Sequence, residues 1–233
     1  MPEAVAECRR LIAGADRAGK ANVTIILAGL EAMRGRVAVA TRLLEEARGV
    51  VEELGLKQTI ALAALWMAGE IALAEGSLDS AEQCFRETCA AHLAFGNRTP
   101  LATTAAELAD ILYVNGRFDE AEQWVETARA GMTPDDASAQ FSTRSVRAKL
   151  IARGGAIDEA LALVDEAVAI AAATDSLNRH AKVLLDRAEV LVLADSHSAA
   201  GRSMEEALRL FDTKGNTVAT RRVRKLLDRL AIA

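Results

Sequence analysis

Small and apolar residues recur along the chain at spacings of three, four and seven, the period of one helix face. In "FDEAEQWVETARA" (Phe118 to Ala130), Ala121, Val125 and Ala128 fall on one stripe while acids, Gln123 and Arg129 fill the rest. The stretch "IDEALALVDEAVA" (Ile157 to Ala169) repeats the arrangement with Ala160, Val164 and Ala167. Helices are predicted throughout.

The stripes are phased by turns. A turn residue ahead of an x-apolar-x-x-Ala start falls at Gly35, Gly76, Gly116, Gly155 and Asp195, in steps of 41, 40, 39 and 40 residues. Such regularity predicts helix–turn–helix units, the turn taking a left-handed residue that glycine adopts at little cost. Five residues after each marker stands an alanine (Ala40, Ala81, Ala121, Ala160, Ala200), and seven further on come Ala47, Ala128, Ala167 and Ala207, with Thr88 in the second unit. These small residues are predicted at helix crossings, with Leu44, Phe85, Val125, Val164 and Met204 as filling between them and Phe118 plugging a hairpin end. Acids after the turn, such as Asp79, Asp119 and Asp158, face the positive end of the second helix's dipole. Twelve helices follow: an unpaired one near 2–19, five hairpins over 21–212, and a cap over 217–233. Pro100 and "GMTPDD" (Gly131 to Asp136) mark boundaries between hairpins.

Small residues at fixed places around a glycine turn resemble the tetratricopeptide repeat (TPR). That resemblance implies a right-handed α-solenoid of antiparallel hairpins, here a single all-α domain over 1–233, with helices longer than the usual 34-residue unit allows. The phrases "LAGLEAMRGR" (27–36), "RAKLIARGG" (147–155), "DRAEVLVLAD" (186–195) and "LRLFDTKGNTVATRR" (208–222) resemble the carboxy-terminal helical repeats of large bacterial signalling proteins. Those proteins carry a class III cyclase domain and a nucleoside-triphosphatase module ahead of such repeats. Neither the cyclase's metal-binding aspartates nor a GxxxxGK[ST] loop occurs here. A regulatory or protein-binding role is implied, the alternative to a free scaffold being the sensor arm of such a regulator.

Composition narrows the classes. Apolar residues make up 51% of the chain but aromatics only 3%, so alanine and aliphatic side chains build the core. A net charge of −5 argues against a general polyanion binder and hence against nucleic acid. The basic run Arg221, Arg222, Arg224, Lys225 and Arg229 reads as a solvated terminal face. Cys8, Cys84 and Cys89 form no CxxC pair, which fits a reducing compartment. No apolar run reaches the roughly 20 residues a bilayer span needs. The amino terminus lacks a secretory layout. A cytoplasmic protein is expected.

Candidate chemistry is sparse. His92, His180 and His197 are scattered, and no Ser or Cys stands in a nucleophile motif, so no catalytic residue and no cofactor is predicted. Cys89 and His92 share a helix face, but two ligands fall short of a zinc site. They are expected as a buried thiol beside a partly exposed imidazole. The remaining place for function is the concave groove that first helices line in TPR arrays. Register puts Trp66, Met67 and Glu70 there, then Asp110, Tyr113, Lys149 and Arg153, and last Lys182, Asp186 and Glu189. Trp66 and Tyr113 would either anchor a peptide or pack between repeats. Of the places where terminal-carboxylate clamps carry Lys and Asn, only Lys149 matches. Arg147 and Arg187 stand where the repeat has leucine, so they are expected to be buried and paired with Asp110, Asp186 or an adjacent helix. The first helix reads as the second half of a hairpin, which predicts packing on a partner or self-association through that end. A protein or peptide partner is the expectation.

Overall fold

The computed structural model describes residues 1–56 and 59–231. It is all-helical, with twelve α-helices among the described residues: α1 (Pro2–Gly14), α2 (Arg17–Met33), α3 (Val37–Glu53), α4 (Thr59–Glu75), α5 (Leu78–Phe95), α6 (Arg98–Val114), α7 (Phe118–Gly131), α8 (Ala137–Arg153), α9 (Ile157–Ala172), α10 (Leu177–Leu193), α11 (His197–Lys214) and α12 (Thr217–Leu230). Hairpins α2/α3, α4/α5, α6/α7, α8/α9 and α10/α11 pack as antiparallel pairs. The turn markers behave as their spacing predicts: Gly35, Gly76, Gly116 and Gly155 all have positive φ, and Asp195 takes the same left-handed conformation at φ 54°. A non-glycine residue there is strained, and Asp tolerates it better than most.

The chain divides into two compact units: Met1–Phe95 with Gly215–Val218, and Gly96–Lys214 with Ala219–Ala233. In unit 1 the alanine-rich core joins Ala28, Ala32, Ala40, Leu44, Ala47 and Ile71. Close approach is enforced by glycine: a Cβ on Gly69 would lie 2.8 Å from the Phe85 ring, so α4 can sit on a phenylalanine only without a side chain there. Thr88, which replaces the alanine of this repeat position, is buried and donates its hydroxyl to the Cys84 carbonyl at 2.7 Å. The first helix is shorter than the sequence predicts. It stops at Gly14 because Asp16 caps α2, its carboxylate accepting the Gly19 amide at 2.8 Å. Val5 and Cys8 of α1 then pack on Leu27 and Leu30 of α2. Residues 215–218 lie against the α2–α3 turn, Val218 facing Gly35 and the Thr217 hydroxyl donating to the Met33 carbonyl at 3.4 Å.

In unit 2 every predicted crossing residue is buried: Ala121, Ala128, Ala160, Ala167, Ala200 and Ala207, with Val125 and Val164 between them. Asp136, from the "GMTPDD" break, caps α8 by accepting the Ala139 amide at 3.0 Å. Val223 of α12 closes the core formed by Leu184, Leu191, Met204 and Phe211. Fully burying one such aliphatic or aromatic side chain stabilises by roughly 1.5–3 kcal/mol, so short stripes on paired helices suffice to hold successive hairpins together within each unit.

Candidate binding face

Unit 2 gathers seven of the ten residues placed in the groove by register. They come from the first helices of three consecutive hairpins, α6, α8 and α10. The Lys149 side chain is 2% exposed and forms ion pairs with Asp110 and, at 2.9 Å, with Asp186. Lys182 bridges the same two carboxylates at 2.9 and 3.2 Å. The Ser145 hydroxyl donates to Asp186 at 2.6 Å. The Tyr113 hydroxyl donates to Glu189 at 2.7 Å, and its ring lies 4.6 Å beneath the Lys149 ammonium. Tyr113 also meets Phe118 edge-on at 5.5 Å, and the Arg153 guanidinium covers Phe118 at 4.1 Å.

Why this network is stable follows from its charges. Burial works against ionising Asp110, but Lys149 and Lys182 outweigh it and hold the carboxyl below its ordinary value. Burial works likewise against charging Lys149, yet Asp110, Asp186 and Glu189 hold its ammonium well above the ordinary lysine value. Burial pushes the Tyr113 phenol up, helped by Glu189. A buried charge is tolerated only when paired and hydrogen-bonded, and here each is. The rim stays wet: the Glu189 side chain is 44% exposed, Lys182 is partly exposed and Arg153 is exposed.

Several expectations change on contact with this geometry. Lys149 is spent on two internal carboxylates, so the one residue matching a terminal-carboxylate clamp cannot reach a ligand. Tyr113 is buried and walls the network instead of standing open. Arg147 and Arg187 are half-buried, not buried, and pair with acids of α9. Arg147 lies 4.0 Å from Glu159, while Arg187 donates to Asp165 at 2.6 Å and to the Ser203 hydroxyl at 2.7 Å. Their long stems cover the apolar stripe while the guanidinium reaches the helix edge. Trp66, Met67 and Glu70 lie half-buried on α4 of unit 1, where Met67 presses on Gly29 of α2. His92 is buried, not partly exposed, and its Nδ1 has no hydrogen-bond partner. Burial pushes the neighbouring Cys89 thiol up to about 12. Among the described residues no group of three or more His, Cys, Asp or Glu side chains could hold a metal ion. No described helix is long and apolar enough to cross a membrane.

Two polar clusters were not legible as sites. Arg179 donates to the buried Glu107 at 2.6 Å across 72 residues of chain, with no local signal to announce it. In unit 1, Glu31 is buried among three arginines; its placement at a normally apolar repeat position was the available clue.

No family model matches the chain, and no curated protein does. Solved structures do. BtubC from P. vanneervenii matches with a TM-score of 0.60 at 18% identity, over 92% of this chain and 89% of that one. The TPR-like repeats of a putative kinesin light chain from Podosopora anserina match with a TM-score of 0.53 at 19% identity, over 86% and 98%. A Rap protein complexed with competence and sporulation factor matches with a TM-score of 0.59 at 14% identity, over 93% and 65%. Repeat register, left-handed turns, buried crossing alanines and these likenesses agree: the chain has a TPR-like helical-repeat fold.

Proposed function

We propose that the protein is a non-enzymatic, cytoplasmic protein–protein interaction scaffold that receives a polypeptide segment on the α6–α8–α10 face of unit 2. The observation carrying this reading is the wet rim of an otherwise closed polar network. Glu189, Lys182 and Arg153 present fixed charges of both signs, each steadied from beneath by Tyr113, by Asp110 with Asp186, and by Phe118 respectively. Such groups bind with little loss of side-chain freedom, because that freedom is already gone. Catalysis finds less support, since each acid gathered there is matched to a cation and the Ser145 hydroxyl that donates to Asp186 is itself buried. The Rap likeness adds that a protein of this fold is found complexed with a factor.

Selection of peptides from a displayed library on the purified chain tests the reading. Binders are expected to weaken about tenfold or more on Glu189→Lys or Lys182→Glu, the loss of roughly 1.4 kcal/mol or more that reversing a rim charge brings. They should be indifferent to Glu122→Lys on α7. Binders that ignore both rim changes would refute the site.

A second reading rests on the four phrases that resemble bacterial signalling regulators: the same face would serve as a sensor arm of a cyclase/ATPase-type protein. Immunodetection of the endogenous protein separates the two, a band far larger than 24.7 kDa being required by the second.

A further inference from the structure

Unit 1 breaks its own repeat at one place. Four residues before the turn marker the other units carry Ala72, Leu112, Ile151 and Leu191, all apolar; the first carries Glu31, whose side chain is 1% exposed. Three guanidiniums converge on it from separate elements. Arg34, at the end of α2, donates to both carboxylate oxygens at 3.2 and 3.3 Å. Arg9 of α1 lies 3.6 Å from one oxygen, and Arg36, in the turn before α3, lies 3.6 Å from the other. A structural ion pair needs one cation. Here three stand over one carboxylate, leaving two positive charges in excess, and an apolar residue would have filled the position more cheaply.

The outer two are also poorly used. At 3.6 Å neither Arg9 nor Arg36 is within ordinary hydrogen-bond reach of Glu31. Their side chains are 66% and 52% exposed. The carboxylate thus holds the guanidiniums together without consuming their outward-facing forks, which match tetrahedral oxyanions in shape. We propose that Glu31, Arg9, Arg34 and Arg36 form a receptor for a phosphate dianion, with Glu31 as a positioning residue beneath it. The excess of two charges matches a phosphate monoester, which carries about −1.5 to −2 at neutral pH. The phosphate is either free or carried on a phosphorylated side chain. Arg34 supplies rigidity, and Arg9 and Arg36 supply the contacts.

The full-length chain is titrated with inorganic phosphate, with a phosphoserine peptide and with its unphosphorylated twin, following arginine side-chain resonances by NMR. Saturable shifts confined to Arg9, Arg34 and Arg36 are expected. In Arg9→Ala/Arg36→Ala the affinity should fall at least tenfold while the unfolding midpoint is kept. Tighter binding of the phosphopeptide than of free phosphate assigns the source to a modified protein; the reverse order assigns it to free phosphate. Should the double variant fail to fold, Arg36→Ala alone, at the exposed turn, carries the same expectation. Non-saturable shifts with every ligand, equal binding of the unphosphorylated twin, or an affinity that survives the substitutions would overturn the proposal.

Discussion

Each unit centres a polar cluster on a buried charge inside an alanine-rich helical core, and the two central charges have opposite sign. Unit 1 buries the Glu31 carboxylate among three arginines; unit 2 buries the Lys149 ammonium among Asp110, Asp186 and Glu189. The resemblance ends with the partners. Around Lys149 they come from α6 and α10, one repeat away on either side, and two of the three are 16% exposed or less, so the cluster ties three hairpins together. Around Glu31 the partners lie at the end of one hairpin and on α1, and two of the three are mostly in water. Burial of the central group is therefore a poor guide to what a cluster does. The exposure of its partners decides: closed partners make a clamp between helices, open ones leave charge for something else.

The largest effect that would break this contrast is expected at Lys149. Lys149→Met removes the cation and leaves Asp110 and Asp186 in an apolar setting with Lys182 alone, which should cost about 3–5 kcal/mol. The chain has two tryptophans, Trp66 in unit 1 and Trp124 in unit 2, so single-tryptophan variants report each unit separately. Urea unfolding followed at Trp124 should shift strongly. A shift under about 1 kcal/mol would show that the lysine clamps nothing.

Acid should separate the units next. Asp110 has a folded pKa below its unfolded value, so its stabilisation is complete above about 4 and is lost only as pH falls through the folded value. Lys149 is held above its ordinary value, so its contribution is complete below about 10 and fades only at higher pH. In unit 1, burial lowers the pKa of His92, whose Nδ1 has no partner; stability is lost as pH falls below about 6.5, where the unfolded imidazole takes a proton first. Burial lowers the pKa of His180 in unit 2 as well, so the comparison is made in a His180→Gln background: between pH 7 and 5 the Trp66 transition should move to lower urea and the Trp124 transition should hold. His92→Gln should abolish the difference.

What could be read in advance divides along the same line. Turn markers and crossing alanines were legible because each rests on a local steric demand repeated five times, left-handed backbone at Gly35 or no room at Ala121. Asp195 fitted the series although it is not glycine. Register also put Asp110, Lys149 and Asp186 on one face, since they stand 39 and 37 residues apart, close to one repeat. That they neutralise each other depends on rotamers and on how closely alanine lets the helices approach, which periodicity does not carry. Arg147 and Arg187 were misplaced for a related reason. Their repeat position is buried for a leucine, but a guanidinium at the end of a long stem escapes to Glu159 or Asp165.

A smaller effect is expected at Glu31. Replacing it by leucine restores the residue type of the other repeats and removes a buried charge. Arg9 and Arg36 are free to hydrate, so the Trp66 transition should stay within about 1 kcal/mol of the parent or rise. A loss near the 3–5 kcal/mol expected for Lys149 would make the two clusters equivalent after all.

The smallest effect sharpens the contrast most. Arg9 is two-thirds exposed and sits 3.6 Å from Glu31 without a hydrogen bond, the geometry of an ion pair that contributes about 0.5 kcal/mol or less. Arg9→Ala should therefore leave unfolding at Trp66 nearly unchanged at ordinary ionic strength. If stability alone placed this arginine, nothing measurable would follow its removal. The phosphate receptor requires otherwise: the same substitution should weaken phosphate binding several-fold, and added salt should weaken it in the parent, because exposed charges are screened beyond about 8 Å at physiological ionic strength. A side chain that is silent in folding and loud in binding is what separates an open cluster from a clamp.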